Sequence, residues 1–371
     1  MRRFLPAIAF LVVWVAANAS QAVPRYSARY RQNCTLCHQN PAGGGLRSLY
    51  ASQYLVPTEM SMARFTPEQI ARIHPDISPS VAVGTDFRTI HVYTDEARPE
   101  SNFFQMQGDL YVSFTVDDRF SANLDVDQVG SVEAYGLAWI LPWSGYLKAG
   151  RFTPSFGWKF ADHNMYNREE LWFDQPFNTD AGIEVGVYPQ HLAIWAAMLN
   201  GDDPTNTLWD TNRELAYSGG ALARFEAGGV GFGIGGSIWH NPKEPTGGPT
   251  GQRTAGGPLG YVDFGALTWL WEVDASRLVR PDVIAKTKFL TSHEVSLRLL
   301  QGFDIVATYN FVDPDLDLQS GSRARYGIGV DAIPTPFVQV QAFASVYRTE
   351  AGADAPEADF VRTELQLHLF Y

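Results

Sequence analysis

Two thiols and an imidazole fall within one five-residue stretch. Cys34 and Cys37 are the only cysteines of the 371-residue chain, and His38 directly follows the second. In C-x-x-C-H the thiols are spaced to add to the two vinyl groups of a haem, and the histidine then lies under the iron as proximal ligand. Other thiol chemistries fit less well. A structural zinc site wants four ligands, and no second Cys or Cys/His pair exists. A dithiol redox motif belongs to a βαβ context, which the chain lacks. A disulfide between residues this close closes too small a loop to stabilise much. The motif predicts one covalent haem c held by Cys34, Cys37 and His38.

The flanking residues extend this reading. Gly43-Gly44-Gly45 would let backbone pass close to a porphyrin. Arg47 is a candidate partner for a haem propionate, with a solvated surface charge as the alternative. For the distal iron ligand, Met60 is the first candidate, and Met62, His74, a residue from further along the chain or an open site are the alternatives. A thioether ligand would raise the potential relative to a second histidine. The remaining histidines, His91, His163, His191, His240, His293 and His368, show no metal-ligand spacing.

Haem c is attached after export, and the start of the chain agrees with export. Arg2 and Arg3 precede an apolar run from Phe4 to Ala17, and Ser20 and Ala22 are the small residues of a cleavage site. Residues 1–22 therefore read as a secretory signal peptide. No later apolar run reaches helical spanning length. Charged residues make up only 18% of the chain, aromatics 13%, and the formal net charge is −12, which argues against nucleic acid as a partner.

Two textures divide the rest. Residues 23–80 are short, punctuated by Pro and Gly, and partly helical. Thr66-Pro67-Glu68 predicts a helix start, with a stop near His74 before Pro75. From 81 to 371 the pattern turns to period two. Leu110, Val112, Phe114 and Val116 alternate with Asp109, Tyr111, Ser113 and Thr115, and Trp269, Trp271 and Val273 alternate with Leu270, Glu272 and Asp274. At the end of the chain, Leu365, Leu367 and Leu369 share one face and Glu364, Gln366 and His368 the other.

Strands of about ten residues suit a tilted membrane crossing. Turns break the pattern into about sixteen strands, an even number as a single-chain bacterial barrel requires. Short turns alternate with longer loops at 158–180, 201–213, 241–257, 312–322 and 348–358. Trp139, Trp143, Tyr146, Trp158, Tyr166, Trp172 and Phe173 cluster near strand ends, as interfacial girdles do. The fold class read from the sequence is all-β: a transmembrane outer-membrane β-barrel of about sixteen antiparallel strands, preceded by a small, partly helical haem c segment. Lumen-facing Asp109, Asp125, Asp127, Glu272 and Asp274 would line a hydrated pore or draw cations into it.

A haem c motif directly before such a barrel, with an aromatic last strand, resembles the fused cytochrome–porin family, whose best-known members are outer-membrane cytochromes of iron-oxidising bacteria. Only Cys34, Cys37 and His38 match that family residue by residue. Asn40-Pro41 and Gly43-Gly44-Gly45-Leu46-Arg47 depart from the pattern that follows the motif in the iron oxidases, and the chain is short for them. "LKAGRFTPSFGWKFADHNMY" (147–166) is similar to a porin strand followed by an inward or extracellular loop. The resemblance implies an electron carrier in the outer membrane, an iron oxidase-like oxidoreductase in one version. Its partners would be outer-membrane lipid, a periplasmic cytochrome or other carrier, and an extracellular redox donor or acceptor such as Fe(II). The alternative is a diffusion porin whose haem segment is a plug or redox gate.

Overall fold

The computed structural model describes residues 24–371 apart from 97, 129, 163, 172–178, 202–211, 245–249, 319 and 353–356. Residues 1–23, where the signal peptide is expected, and His163, Trp172 and Phe173 lie outside the described residues. Before the barrel come α1 (Pro24–Tyr30), a 3-10 turn (Cys34–Leu36), a ten-residue π-helix (Ala51–Met60) and α2 (Pro67–Ile70). A short strand, β1 (Asp76–Ser78), leads into the sheet. A last short helix, α3 (Tyr166–Glu169), lies between barrel strands.

The barrel strands are β2 (Val81–Thr94), β3 (Glu100–Asp117), β4 (Phe120–Asp127), β5 (Val132–Leu141), β6 (Gly145–Phe152), β7 (Asp180–Val187), β8 (Leu192–Leu199) and β9 (Ala216–Ala227). The second half comprises β10 (Val230–Glu244), β11 (Gly251–Asp263), β12 (Leu267–Arg280), β13 (Val283–Leu300), β14 (Phe303–Asp313), β15 (Arg323–Thr335), β16 (Val338–Thr349) and β17 (Ala358–Phe370). Each pairs antiparallel with its neighbour, and β17 returns to β2, so sixteen strands close a barrel with β1 as an extra strand on β2. Closure leaves no barrel edge unpaired, which a lipid environment demands.

Burial is inverted relative to a soluble domain. On β15 Ile328 is 61% exposed, whereas Arg325 is fully buried; on β17 Leu365 is 51% exposed and Gln366 is buried. The apolar face of each strand points outward and the polar face lines the lumen. The barrel is therefore membrane-spanning, because only lipid makes an outward band of Leu, Ile, Val and Phe favourable.

All sixteen strands fall where the alternation predicts them, with two corrections. The expected loop at 241–257 is mostly strand, since β10 runs to Glu244 and β11 begins at Gly251. Gly256-Gly257-Pro258 reads as a breaker, yet it sits inside β11. The pairing to β12 skips from Gly256 to Leu259, which spares the proline the hydrogen bond it cannot donate. Likewise β12 and β13 continue to a two-residue turn at 281–282, beyond the last alternating residues. Arg277, Lys286 and Lys288 mask that extension, because a hairpin standing above the lipid needs no apolar face.

α2 begins as predicted, with a Thr66/Gln69 capping box and Pro67 in the first turn, but ends at Ile70 rather than near His74. It buries none of its residues, so nothing beyond its cap sustains it.

Ile328 is outward-facing and central on its strand. Ile328→Arg should destabilise the barrel by about 2–4 kcal/mol in lipid vesicles, as expected for an arginine near the bilayer midplane. Denaturant titration checks this, and an unchanged midpoint would mean that the residue does not face lipid.

Candidate haem cavity in the barrel lumen

The motif residues share a face because their spacing is helical. His38 N–H donates to Cys34 O at 2.9 Å and Cys37 N–H to the same oxygen at 3.1 Å, closing one turn. Positions i, i+3 and i+4 of such a turn lie on one side. The chain then loops back. Gln39 N–H donates to Leu46 O at 2.9 Å, and His38 and Arg47 form an isolated antiparallel bridge. Gly43, Gly44 and Gly45 have φ of 80°, 77° and 65°, three consecutive left-handed residues that only glycine adopts freely. Ser48 Oγ donates to Leu36 O at 2.6 Å and its N–H to Cys37 O at 2.9 Å, fixing the loop on the motif.

Buried charge pairs hold this segment against the inner wall. Arg25 reaches Glu294 on β13 and Asp331 on β15, both at 2.9 Å. Arg29 reaches Asp304 on β14 at 2.6 Å, and Arg47 reaches Asp86 on β2 at 3.1 Å. Arg224 on β9 donates to Asn33 at 2.6 Å. Leu46 presses on Gly84 so closely that a Cβ there would come within 2.5 Å of it.

A second segment enters the lumen between β6 and β7. Trp158 N–H donates to Glu272 at 2.6 Å, Gly157 N–H to Ser237 at 3.1 Å, Asn167 bonds Asp274, and Asp162 pairs with Arg325. The stretch 147–166 thus takes the inward of its two expected courses. Glu272 and Asp274 anchor it, and Asp109 accepts from Tyr111 at 2.9 Å, so these three acids are engaged in buried contacts rather than lining open water. The expected aromatic girdle also needs correction. Tyr146, Trp158 and Tyr166 are buried, at 2%, 8% and 3% exposure, because they pack on the inward segment and the inner wall instead of meeting lipid headgroups.

Between the two segments lies a cavity of about 160 Å³. Cys34, Cys37, His38 and Met60 line it from the N-terminal side, Trp158 and Lys159 from the inward loop, and Arg88, Arg224 and His368 from the wall. Both thiols are free. Burial pushes the Cys37 thiol up to about 12, with Cys34 adding to the effect, and burial also raises Cys34. Both thus stay protonated rather than forming thiolates. Burial, assisted by Arg47, pushes His38 down to about 4, which keeps the imidazole neutral, the form that binds a metal. His38 Nδ1 is buried with no hydrogen-bond partner. Two free thiols and a neutral imidazole facing one cavity are a donor set that fits a haem c.

Of the three named distal candidates, only Met60 lines the cavity. Met62 is 46% exposed, and His74 makes a surface pair with Asp76 at 3.5 Å. Arg47 also lines the cavity, but it is paired with Asp86 and stacked on Phe370 at 4.3 Å. The sequence reading did not single out Arg88, Lys159 or Arg224. The alternation of β2 does place Arg88 with Asp86 and Ile90 on the inward face; the descent of Lys159 into the lumen has no comparable signal.

No family model matches the sequence, and no curated protein does. Solved structures do match. The anion-selective porin from Comamonas acidovorans aligns over 79% of this chain and 99% of its own, at TM-score 0.58 and 10% identity. OmpT of Vibrio cholerae aligns over 80% and 100%, at TM-score 0.58 and 11% identity. OprB of Pseudomonas putida aligns over 85% and 99%, at TM-score 0.57 and 9% identity.

The fold is that of outer-membrane porins.

On this porin fold the N-terminal segment docks among the strand ends joined by short turns. Arg31 bonds Gly229 O in the β9–β10 turn at 3.0 Å, and Gln301 in the β13–β14 turn donates to Ser61 O at 2.7 Å. That is the periplasmic end in the usual barrel layout.

Two outcomes follow. Arg25→Ala leaves Glu294 and Asp331 buried without their cation, which costs about 3–5 kcal/mol. The N-terminal segment should become cleavable by protease while the barrel stays intact on a gel; continued protection would refute the clamp. If a haem is held here with Met60 as its distal ligand, Met60→Ala should lower its midpoint potential, since thioether ligation raises it. His74→Ala should leave it unchanged, and the reverse pattern in a redox titration would displace Met60.

Proposed function

We propose that this chain is an outer-membrane electron-transfer protein that carries one haem c in the lumen of its barrel. The observation behind this reading is the convergence of Cys34, Cys37, His38 and Met60 on one cavity inside a porin fold. Cys34 and Cys37 Sγ would hold the porphyrin as thioethers, His38 would be the proximal ligand and Met60 the distal one. A haem bound there supplies a one-electron couple within a hydrocarbon layer of ~30 Å.

The chain's own groups prepare that place. Burial keeps His38 neutral and available as a ligand. Trp158, brought in by Glu272, and Phe156 cover the cavity from the long-loop side and restrict water. The N-terminal segment lies at the short-turn end, where a periplasmic carrier would dock. The long-loop face would meet an extracellular donor or acceptor, Fe(II) among the candidates. This reading matches the fused cytochrome–porin architecture, with Cys34, Cys37 and His38 as the residues carried over.

A second reading is favoured by the similarity to porins: a diffusion porin in which the N-terminal segment is a plug or redox gate. Vesicles separate the two. Purified protein in vesicles enclosing ferricyanide, with an impermeant reductant outside, should reduce the enclosed ferricyanide. The Cys34→Ala, Cys37→Ala variant should fall to the rate of empty vesicles. Equal rates for both proteins, with an ion conductance that ignores the cysteines, would replace the first reading by the second.

A further inference from the structure

Arg88 stands out among the cavity residues. It projects from the inward face of β2 and is 3% exposed. Its Nε meets no hydrogen-bond partner, and it enters no ion pair among the described residues. Of the acids near it, Asp86 is committed elsewhere, and Asp109 keeps only its Oδ1 without a partner. Asp86 receives Arg47 at 3.1 Å, His368 at 3.0 Å and Tyr111 at 2.9 Å, while Asp109 receives Gln107 and Tyr111.

Asp86 and Asp109 lie near enough to offset part of its charge, yet a buried guanidinium without a hydrogen-bonded acceptor remains unfavourable. Its planar fork matches one group best, a carboxylate held in bidentate fashion. Arg88 lines the same cavity as Cys37 and His38, so an anion paired with it would sit inside that cavity. The other arginines there have hydrogen-bonded acceptors: Arg47 pairs with the Asp86 carboxylate, and Arg224 donates to the neutral Asn33 at 2.6 Å.

We propose that Arg88 is a carboxylate-binding residue of this cavity, and that the carboxylate is a propionate of the covalently held porphyrin. The identity of the carboxylate rests on the haem reading; the carboxylate site itself does not. Bound in this way, the propionate stays ionised and its charge is offset. Arg47, by contrast, fastens the N-terminal segment to the wall through Asp86.

The test uses the full chain in detergent, with Arg88→Gln and Arg88→Lys variants, and reads covalent haem content and midpoint potential against pH. In the natural protein the potential should be nearly flat between about pH 5 and 8, because a paired propionate does not titrate there. Arg88→Gln should keep its haem on Cys34 and Cys37 yet show a lower potential at neutral pH, since an uncompensated negative charge favours the oxidised iron. That potential should rise as the pH falls and the freed propionate takes up a proton. Arg88→Lys should restore most of the flat profile. A merely structural role for Arg88 would alter folding or haem content without creating this pH dependence. Full haem content with an unchanged profile in Arg88→Gln overturns the proposal.

If the natural protein carries no covalent haem, the haem reading fails on its own. The carboxylate site is then tested with succinate by calorimetry. Binding that is lost in Arg88→Gln retains Arg88 as a carboxylate site for a free solute, and no binding removes it. Should Arg88→Gln fail to form a barrel, Arg88→Lys alone decides: a potential lowered and made pH-dependent, or succinate binding weakened, supports the site, and values identical to the natural protein refute it.

Discussion

The buried pairing of Arg25 with Glu294 and Asp331, both at 2.9 Å, is the contact on which the interior depends. It joins a segment that precedes the barrel in sequence to two barrel strands. Arg29 with Asp304 and Arg47 with Asp86 extend the attachment toward both sides of the wall. Pairs of this kind add little net stability, because desolvating the charges costs nearly what their attraction returns. Their value is in position. They place Cys34, Cys37, His38 and Met60 on one side of a cavity whose other walls belong to the barrel and its inward loop.

A porin fold suits this arrangement because its lumen is polar by construction. Once the alternating strands turn Leu, Ile and Phe to lipid, every second residue faces inward and must find partners there. Glu272 and Asp274 find them in the backbone of Trp158 and the side chain of Asn167, so the acids of the wall pull a loop inward. The same logic leaves Arg88 without a hydrogen-bonded acceptor, because Asp86 beside it already receives Arg47 and His368.

Much of this was legible in the sequence, for physical reasons. Period-two alternation is strict where one strand face meets lipid, so the sixteen strands could be counted, and β2 could be placed to the residue. The alternation faded at Arg277–Lys288 and at Gly256–Pro258, where strands leave the lipid or skip a pairing, and there the boundaries were missed. The C-x-x-C-H spacing is local, so it located the motif face without any knowledge of the fold. The distal side was not local. The sequence put Met60 ahead of Met62 and His74, but that Met60 is the one the docked segment turns toward the cavity could be read only from the fold. Tyr146, Trp158 and Tyr166 looked like interfacial aromatics because an inward loop and a membrane girdle draw on the same residue types. Similarity to solved porins at 10–11% identity speaks for the barrel and leaves the chemistry of its lumen to the residues themselves.

The central claim is that Cys34 and Cys37 carry a porphyrin inside this barrel. The most direct measurement is the mass of the proteolytic peptide containing residues 34–38, taken from protein produced in a host with the cytochrome c maturation machinery. The account predicts that this peptide is heavier by one haem, absorbs visible light, and resists thiol-blocking reagents at both cysteines. Two unmodified thiols, or a Cys34–Cys37 disulfide, would contradict it.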